Sequence, residues 1–547
     1  MYKFFLFAFY ISCSYLLFSD SRPNILIIMA DDMSPKIKAL GDNVALTPTL
    51  DNLVKSGKSY TNAFTTAGVC ACSRSALLTG KNQISIGAMH MRTSSGPQVP
   101  YLAVPDMNIK AFPEILRKYG YFTFTNDKLD YQFSGIFPGT GPFTIWNSES
   151  EKYGWRSKKP EQPFFGIINL IVTHESGMFV GEMNSIETNA IKLLQQSTQI
   201  KYESPIAPDR VIVPPFLPDT KEVRNDIARA YNNIFILDQQ VGEIIDALRS
   251  DELLKDTIVI FTSDHGDGLP RYKRELFDSG INVPLIMVVP DKYNLWNIHP
   301  NTKSERLISF LDIAPTILDI AGISKPSYMD GQSFLSKEEN KYIFAARDRL
   351  DNHYGKTRAV RSKQYKLIKN FSPGIVGAQE LSFRENLQSM KKMRSMLKND
   401  QLNKVQKIWF NEIPELQLYD LKNDPHEIVN LANQDGFQEV LTELETELDV
   451  WISKNNFHGE LSEESLSEKF WPSGKQPITD KPTIVIDSNL LTIKNKKDSE
   501  GASIGYSYDG NNWNIYEKPL KIKPNESIFI KAVKYGWLES EIIFIEK

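Results

Sequence analysis

Cysteine is nearly absent from this chain. Of 547 residues only three are Cys, and Cys13 lies in the apolar N-terminal stretch, which leaves Cys70 and Cys72. Two thiols two residues apart cannot staple a domain, so a disulfide framework is excluded, and a pair retained in an exported chain points to chemistry at one of them. Charge of one sign is lacking too. With 63 Lys and Arg against 67 Asp and Glu the net charge is -4, and no basic stripe marks a nucleic-acid partner. Without strong acidity an anionic glycan is not repelled wholesale and is met by local Lys and Arg. Beyond the N-terminus no run is apolar enough to span a bilayer, and no internal repeat is present.

Residues 1–20 carry Lys3, a run rich in Phe, Leu, Ile and Tyr, and then Ser19 and Asp20. This pattern predicts a cleaved signal peptide and a periplasmic or secreted protein, with anchorage or lipidation as the alternative. The run is short for a span of roughly 20 residues and is broken by Ser12, Cys13 and Ser14. Cys13 is poorly placed for a lipid, because Tyr15 to Phe18 continue the apolar run. The length allows two or three domains.

Ile25 to Ala30, Phe164 to Val172 and Ile258 to Phe261 read as buried parallel strands, being apolar without polar alternation. Each ends on reactive residues: Asp31-Asp32, Thr173-His174-Glu175, and Ser263-Asp264-His265-Gly266-Asp267. In open α/β sheets sites form beyond the carboxyl ends of the strands, so these clusters are expected to converge. Asn225 to Leu248 has helical periodicity and is expected to cover the sheet. Asp31 and Asp32 alone read equally as turn or capping residues. Together with Asp264 they form a like-charged group that calls for a cation between them. Oxygen ligands favour Ca²⁺, with Mg²⁺ second, over zinc, and His265 is the softer misfit. Ser73 to Thr79 predicts a short helix closed by Gly80, with Cys70 at its N-terminus, where free N–H groups favour an anion. Arg74 adds a fork suited to sulfate or phosphate oxygens. The bland alternative makes both cysteines small buried hydrophobes and Arg74 a surface charge.

Cys70-Ala-Cys-Ser-Arg74 through Thr79-Gly80 resembles the signature of the formylglycine-dependent type I sulfatases, Cys-x-Pro/Ala-Ser-Arg followed by Thr-Gly. Pro23 to Asp32 resembles that family's opening strand, Phe261 to Gly266 its second metal segment, and Leu418 to Ala432 its C-terminal strand and turn. The resemblance implies an alkaline phosphatase-like α/β fold. Its parts are a large mixed, mostly parallel sheet flanked by helices, a smaller C-terminal α+β subdomain and, at the end of this chain, a small β-sandwich module. It further implies that a maturating enzyme converts Cys70 to formylglycine (3-oxoalanine), whose hydrate attacks sulfur. The implied metal ligands are Asp31, Asp32, Asp264, His265 and the modified Cys70. Arg74, Lys128, His174 and Lys273 are implied to hold sulfate and the bridging oxygen, with His174 or Lys273 as proton donor.

Two departures from the family stand out. Cys72 occupies the Pro/Ala position of the maturation pattern, although Arg74, four residues after Cys70, keeps the register on Cys70. Lys128-Leu-Asp130 replaces the common Lys-x-His, leaving Asp130, His90 or a water to help release sulfate. Lys128 to Tyr131, Thr173 to Ser176 and Gly268 to Arg274 look like a polysaccharide-degrading branch similar to heparan N-sulfatases. That makes the expected substrate a sulfated glycan such as ulvan, another algal polymer or a glycosaminoglycan-like chain. Arg347 and Arg349 are candidates for carboxylate contacts at the pocket rim, with a structural ion-pair turn as the alternative.

The expected division is a catalytic domain over 21–340, a C-terminal subdomain over 341–470, a linker over 471–480 and the β-sandwich over 481–547. Tyr506, Tyr508 and Trp513 are candidates for sugar stacking, with core packing the competing use. Phe383 to Phe410 reads as an amphipathic helical segment that roofs the cleft or packs on the core. Two other functions remain in view: a phosphate or phosphonate ester hydrolase on the same scaffold, and a glycan-binding homologue in which Cys70 stays a thiol. The seven histidines are few for the two-metal phosphatases of this superfamily.

Overall fold

The computed structural model describes residues 22–95, 100–183, 185–455 and 458–546. The expected signal peptide lies outside them. The main sheet has seven strands: β1 (Asn24–Ala30), β2 (Lys58–Tyr60), β3 (Phe122–Thr125), β4 (Phe164–Leu170), β5 (Thr257–Ser263), β6 (Leu285–Val288) and β7 (Thr302–Ser304), in the spatial order β3-β4-β1-β5-β6-β2-β7. The three apolar runs lie side by side at its centre, all parallel, with Ile27 opposite both Ile167 and Ile260. Their register ends them level: Ala30 pairs with Leu170 on one side and Ser263 on the other. Asp31 N–H then donates to the Leu170 carbonyl and Asp264 N–H to the Ala30 carbonyl, each at 3.1 Å. The reactive residues therefore leave the sheet at one height, as the topology of parallel sheets requires.

Alternation along β1 feeds two cores. Ile25, Ile27 and Met29 enter one apolar cluster, and Leu26, Ile28 and Ala30 enter the other. Each such fully buried aliphatic side chain contributes about 1.5–3 kcal/mol. On the first face lies α1 (Cys70–Thr79), all ten of whose residues are buried, with Leu77 and Leu78 as anchors. It stops at Gly80, whose φ of 62° is a left-handed conformation that glycine adopts without penalty. On the second face lies α2 (Lys221–Ser250), capped by Thr220 and packed through Leu237, Val241, Ile244 and Leu248.

A second, antiparallel sheet follows, of β8 (Ile343–Arg347), β9 (Thr357–Arg361), β10 (Tyr365–Asn370) and β11 (Leu416–Asp420), in that order. The segment from Phe383 forms helices at Gln388–Lys398 and Lys404–Lys407 that pack with α2 through Leu387, Met390 and Met393. Residues 483–546 form two facing sheets of three and four strands around Leu491, Ile493, Ile528 and Ile530. This sandwich is docked. Fully buried Glu114 accepts from Ser503 Oγ (2.6 Å) and Tyr535 OH (2.7 Å), and the Tyr535 ring stacks on Phe133. The stretch expected to be a linker packs too, with Trp471 Nε1 donating to the Gly536 carbonyl. Half-buried Trp513 meets Phe143 edge to face beneath the Lys531 ammonium, a further contact between the sandwich and the preceding domain. No helix among the described residues is long and apolar enough to cross a membrane.

Candidate active site

Five segments meet above the carboxyl ends of β1, β4 and β5. Cys70 opens α1 with its thiol 3.2 Å from His265 Nε2. His265 Nε2 is also 3.1 Å from Asp32 Oδ1, while its Nδ1 faces the Gly266 carbonyl at 2.9 Å. Arg74, one helical turn after Cys70, donates from Nε to Asp264 (2.9 Å) and from Nη1 to Asn169 (2.7 Å). Its buried Nη2, 3.6 Å from Asp31, has no hydrogen-bond acceptor among the described residues. Lys128 grips both oxygens of Asp31 at 2.8 and 2.9 Å, and Lys273 both oxygens of Asp32 at 2.7 and 2.9 Å. Ser73 Oγ donates to the Asp264 carbonyl, which ties α1 to the end of β5. The helix N-terminus, three carboxylates and three fixed cations thus share one crevice.

The charge balance of this crevice is informative. Burial alone would raise the Cys70 thiol, but Lys128, Lys273 and His265 outweigh it and hold it well below the usual thiol range. Burial opposes charging of Asp31 and Asp32 as well, yet their lysines keep both carboxyls well below the ordinary range. For Asp264 the relief from His265 and Arg74 is too small. Burial, and then the neighbouring Asp31 charge, push it up to about 7. His265 is driven the other way, its burial overcome by Asp264, Asp32 and Cys70, so that its imidazole is held as a cation. Donor atoms of Asp31, Cys70, Asp264 and His265 lie within 4.8 Å of one another. Carboxylate oxygens and an imidazole gathered this closely in a buried crevice fit a divalent metal ion, which would take the place of the proton on His265.

The other expected residues divide in two. His174 is near the centre: it is half-buried, one ring nitrogen lies within 4.8 Å of donor atoms of Asp32 and Cys70, and Nδ1 meets Ser176 Oγ at 2.8 Å. Phe383, from the segment expected as a roof, flanks its ring. Asp130 is paired with Arg92 (2.5 Å) and lies 3.5 Å from Lys128, and despite burial these cations hold its carboxyl at about 2. His90 is buried outside the cluster, accepting the Arg349 N–H at Nδ1. Arg347 and Arg349 offer no open fork at the rim. Arg347 is bound to Glu275 and Gln379, and fully buried Arg349 is clamped on Glu463. Both take the ion-pair alternative.

The sequence assigns no separate role to Asn169, Glu175, Arg274 or Arg92, although Glu175 and Arg274 lie in segments it singles out. Asn169 is a polar residue inside an apolar strand, which was its visible signal, and it fixes the Arg74 fork. Glu175 accepts from Arg274 at 2.7 and 2.9 Å and lies 3.1 Å from Lys273, so it sets where that lysine points.

The sulfatase family profile matches residues 23–323, and that of the C-terminal region of N-sulphoglucosamine sulphohydrolase matches residues 271–409. An ulvan-active sulfatase of Formosa agariphila is 39% identical over 96% of this chain and 91% of its own. The human N-sulphoglucosamine sulphohydrolase is 26% identical over 79% of this chain and 90% of its own. BT4656, solved in complex with its substrate D-glucosamine-2-N,6-O-disulfate, superposes with a TM-score of 0.55 at 16% identity, covering 81% of this chain and 100% of that one, a likeness of fold. The chain belongs to the sulfatase family and is a sulfuric ester hydrolase on an alkaline phosphatase-like scaffold.

Proposed function

We propose that this protein is an exported, periplasmic or secreted sulfatase of sulfated polysaccharides, ulvan or a related glycan, that works with formylglycine at Cys70 and Ca²⁺. The observation that carries the reading is the placement of Cys70 at the first turn of a buried helix, facing three carboxylates and three cations. The substrate follows from the 39% identity with an ulvan-active sulfatase over nearly the whole chain.

An aldehyde in place of the Cys70 thiol would, as its hydrate, supply an oxygen nucleophile for sulfur, and a divalent cation beside it would neutralise developing charge. Asp31, Asp32, Asp264 and, once it has given up its proton, His265 would hold the cation beside position 70. Ca²⁺ suits a set dominated by carboxylate oxygens. Arg74, fixed by Asp264 and Asn169, aims its free Nη2 into the crevice for a sulfate oxygen. Lys128 and Lys273 are pre-oriented by Asp31 and Asp32 to stabilise charge that grows as the S–O bond breaks. His174, the half-buried member, is suited to pass a proton to the departing sugar hydroxyl.

Release of inorganic sulfate from ulvan oligosaccharides, by protein made with and without a sulfatase-maturating enzyme, tests the reading. The expected result is release that depends on maturation. Faster turnover of an aryl phosphate than of any sulfate ester would overturn it.

A further inference from the structure

Arg92 is unaccounted for by the chemistry above. It follows Met91, which bridges to Leu350 at the edge of the site, and its side chain is 25% exposed. One nitrogen, Nη2, holds Asp130 at 2.5 Å, while Nε is buried with no acceptor among the described residues. Asp130 is shared, because its other oxygen lies 3.5 Å from Lys128, which in turn grips Asp31. A ladder of alternating charge, Arg92–Asp130–Lys128–Asp31, therefore runs from the rim into the crevice. Asp130 is thus shared between two cations, and Asp351, the other carboxylate that favours the Arg92 charge, makes no hydrogen bond to it.

The guanidinium is also preorganised. Arg349, locked on Glu463, donates to the Met91 carbonyl (2.6 Å) and reaches the Arg92 carbonyl (3.4 Å), which fixes the backbone beneath the side chain. A pairing made only to neutralise Asp130 does not require a partly open side chain. With Nη2 on Asp130 and Nε buried, Nη1 is the nitrogen left to meet an oxygen of a carboxylate or a sulfate.

We propose that Arg92 is a substrate-binding residue that takes a second anionic group, a carboxylate or a further sulfate, on the sugar next to the one bearing the scissile sulfate. The assignment rests on the sulfated-glycan reading. Asp130 then has a positioning role: it holds a cation from another segment beside Lys128.

Three matched sulfated oligosaccharides test it: one with a uronate beside the sulfated sugar, its carboxyl-reduced counterpart, and one with a second sulfate in place of the carboxylate. Wild type is expected to favour at least one anionic substrate over the reduced one by about tenfold in kcat/KM, with the favoured substrate identifying the anion. In Arg92→Ala that preference falls to near one, through KM rather than kcat, and Arg92→Lys retains part of it. If Arg92→Ala lowers the melting temperature sharply, Arg92→Gln carries the same comparison. A loss of equal factor on all three substrates, or a wild type that does not discriminate, overturns the proposal. Absence of sulfate release from all three by matured wild type overturns the glycan reading and this proposal with it.

Discussion

Cys70 and Cys72 sit on the same turn of the same helix, yet they live in opposite environments. Two residues along an α-helix rotate a side chain by about 200°, so the two thiols face opposite sides. Cys70 meets Lys128, Lys273 and His265, and its thiol is held well below the ordinary range in spite of burial. Cys72 meets Gln132 and the carboxylates of Asp348 and Asp130, and burial pushes it up. The motif register singles out Cys70, but the opposite shifts of the two thiols do not come from their shared immediate sequence. What separates them is which distant segments the fold brings to each side of one helix.

The strongest way to break the comparison is to exchange the residues one at a time. Cys70→Ala is expected to lower sulfate release by roughly 10⁴-fold or more, the scale for loss of a nucleophile. Cys72→Ala is expected to keep wild-type turnover or exceed it, at a stability cost of about 1 kcal/mol. Assays of both variants after co-expression with the maturating enzyme check this, and an active Cys70→Ala would end the account. Next in size is Arg74→Ala, which strips Asp264 of its 2.9 Å partner on the Cys70 side. Activity is expected to fall roughly 10³-fold. Stability should drop by about 3–5 kcal/mol, because a buried carboxylate loses its cation; denaturant unfolding measures it.

The cation expected on the Cys70 side gives a third, smaller effect. Asp264 has a folded value of about 7 against an ordinary one near 3.9. From about pH 4 to about pH 7 the unfolded chain gives up this proton while the folded chain keeps it. Stability of the chelator-treated protein therefore falls as pH rises through that window and levels off above it. A bound cation removes the loss, so Ca²⁺ should raise the melting temperature more at about pH 7.5 than at about pH 5. Equal shifts at the two pH values would contradict the placement of Asp264 in the cation site. The smallest effect is on the Cys72 side. Position 72 lies in the first turn of α1, where proline is tolerated, and Cys72→Pro restores the family's recognition pattern. A gain of a few-fold in formylglycine content and in activity together is expected, the upper end of what a change outside the crevice supplies.

The contrast between the two thiols also shows what could be read beforehand. The three central strands were legible because continuous apolar, β-branched runs have few other uses. The convergence of Asp31, Asp32, Asp264 and His174 followed once those strands were placed in parallel. For Arg347 and Arg349 the sequence left two uses open, because a charge is visible in sequence while its partner is not. Glu275 lies 72 residues from Arg347 and Glu463 lies 114 from Arg349. The tight docking of the β-sandwich was hidden for the same reason: Glu114, Ser503 and Tyr535 carry no pattern that links them before folding.

Peptide mass spectrometry of the segment holding both cysteines, from protein matured in cells and shown to release sulfate, tests the central claim most directly. The account predicts the mass loss of thiol-to-aldehyde conversion, with fragment ions that place it at Cys70 and leave Cys72 an intact thiol. An unmodified Cys70 in sulfate-releasing protein, or an aldehyde at Cys72, would contradict it.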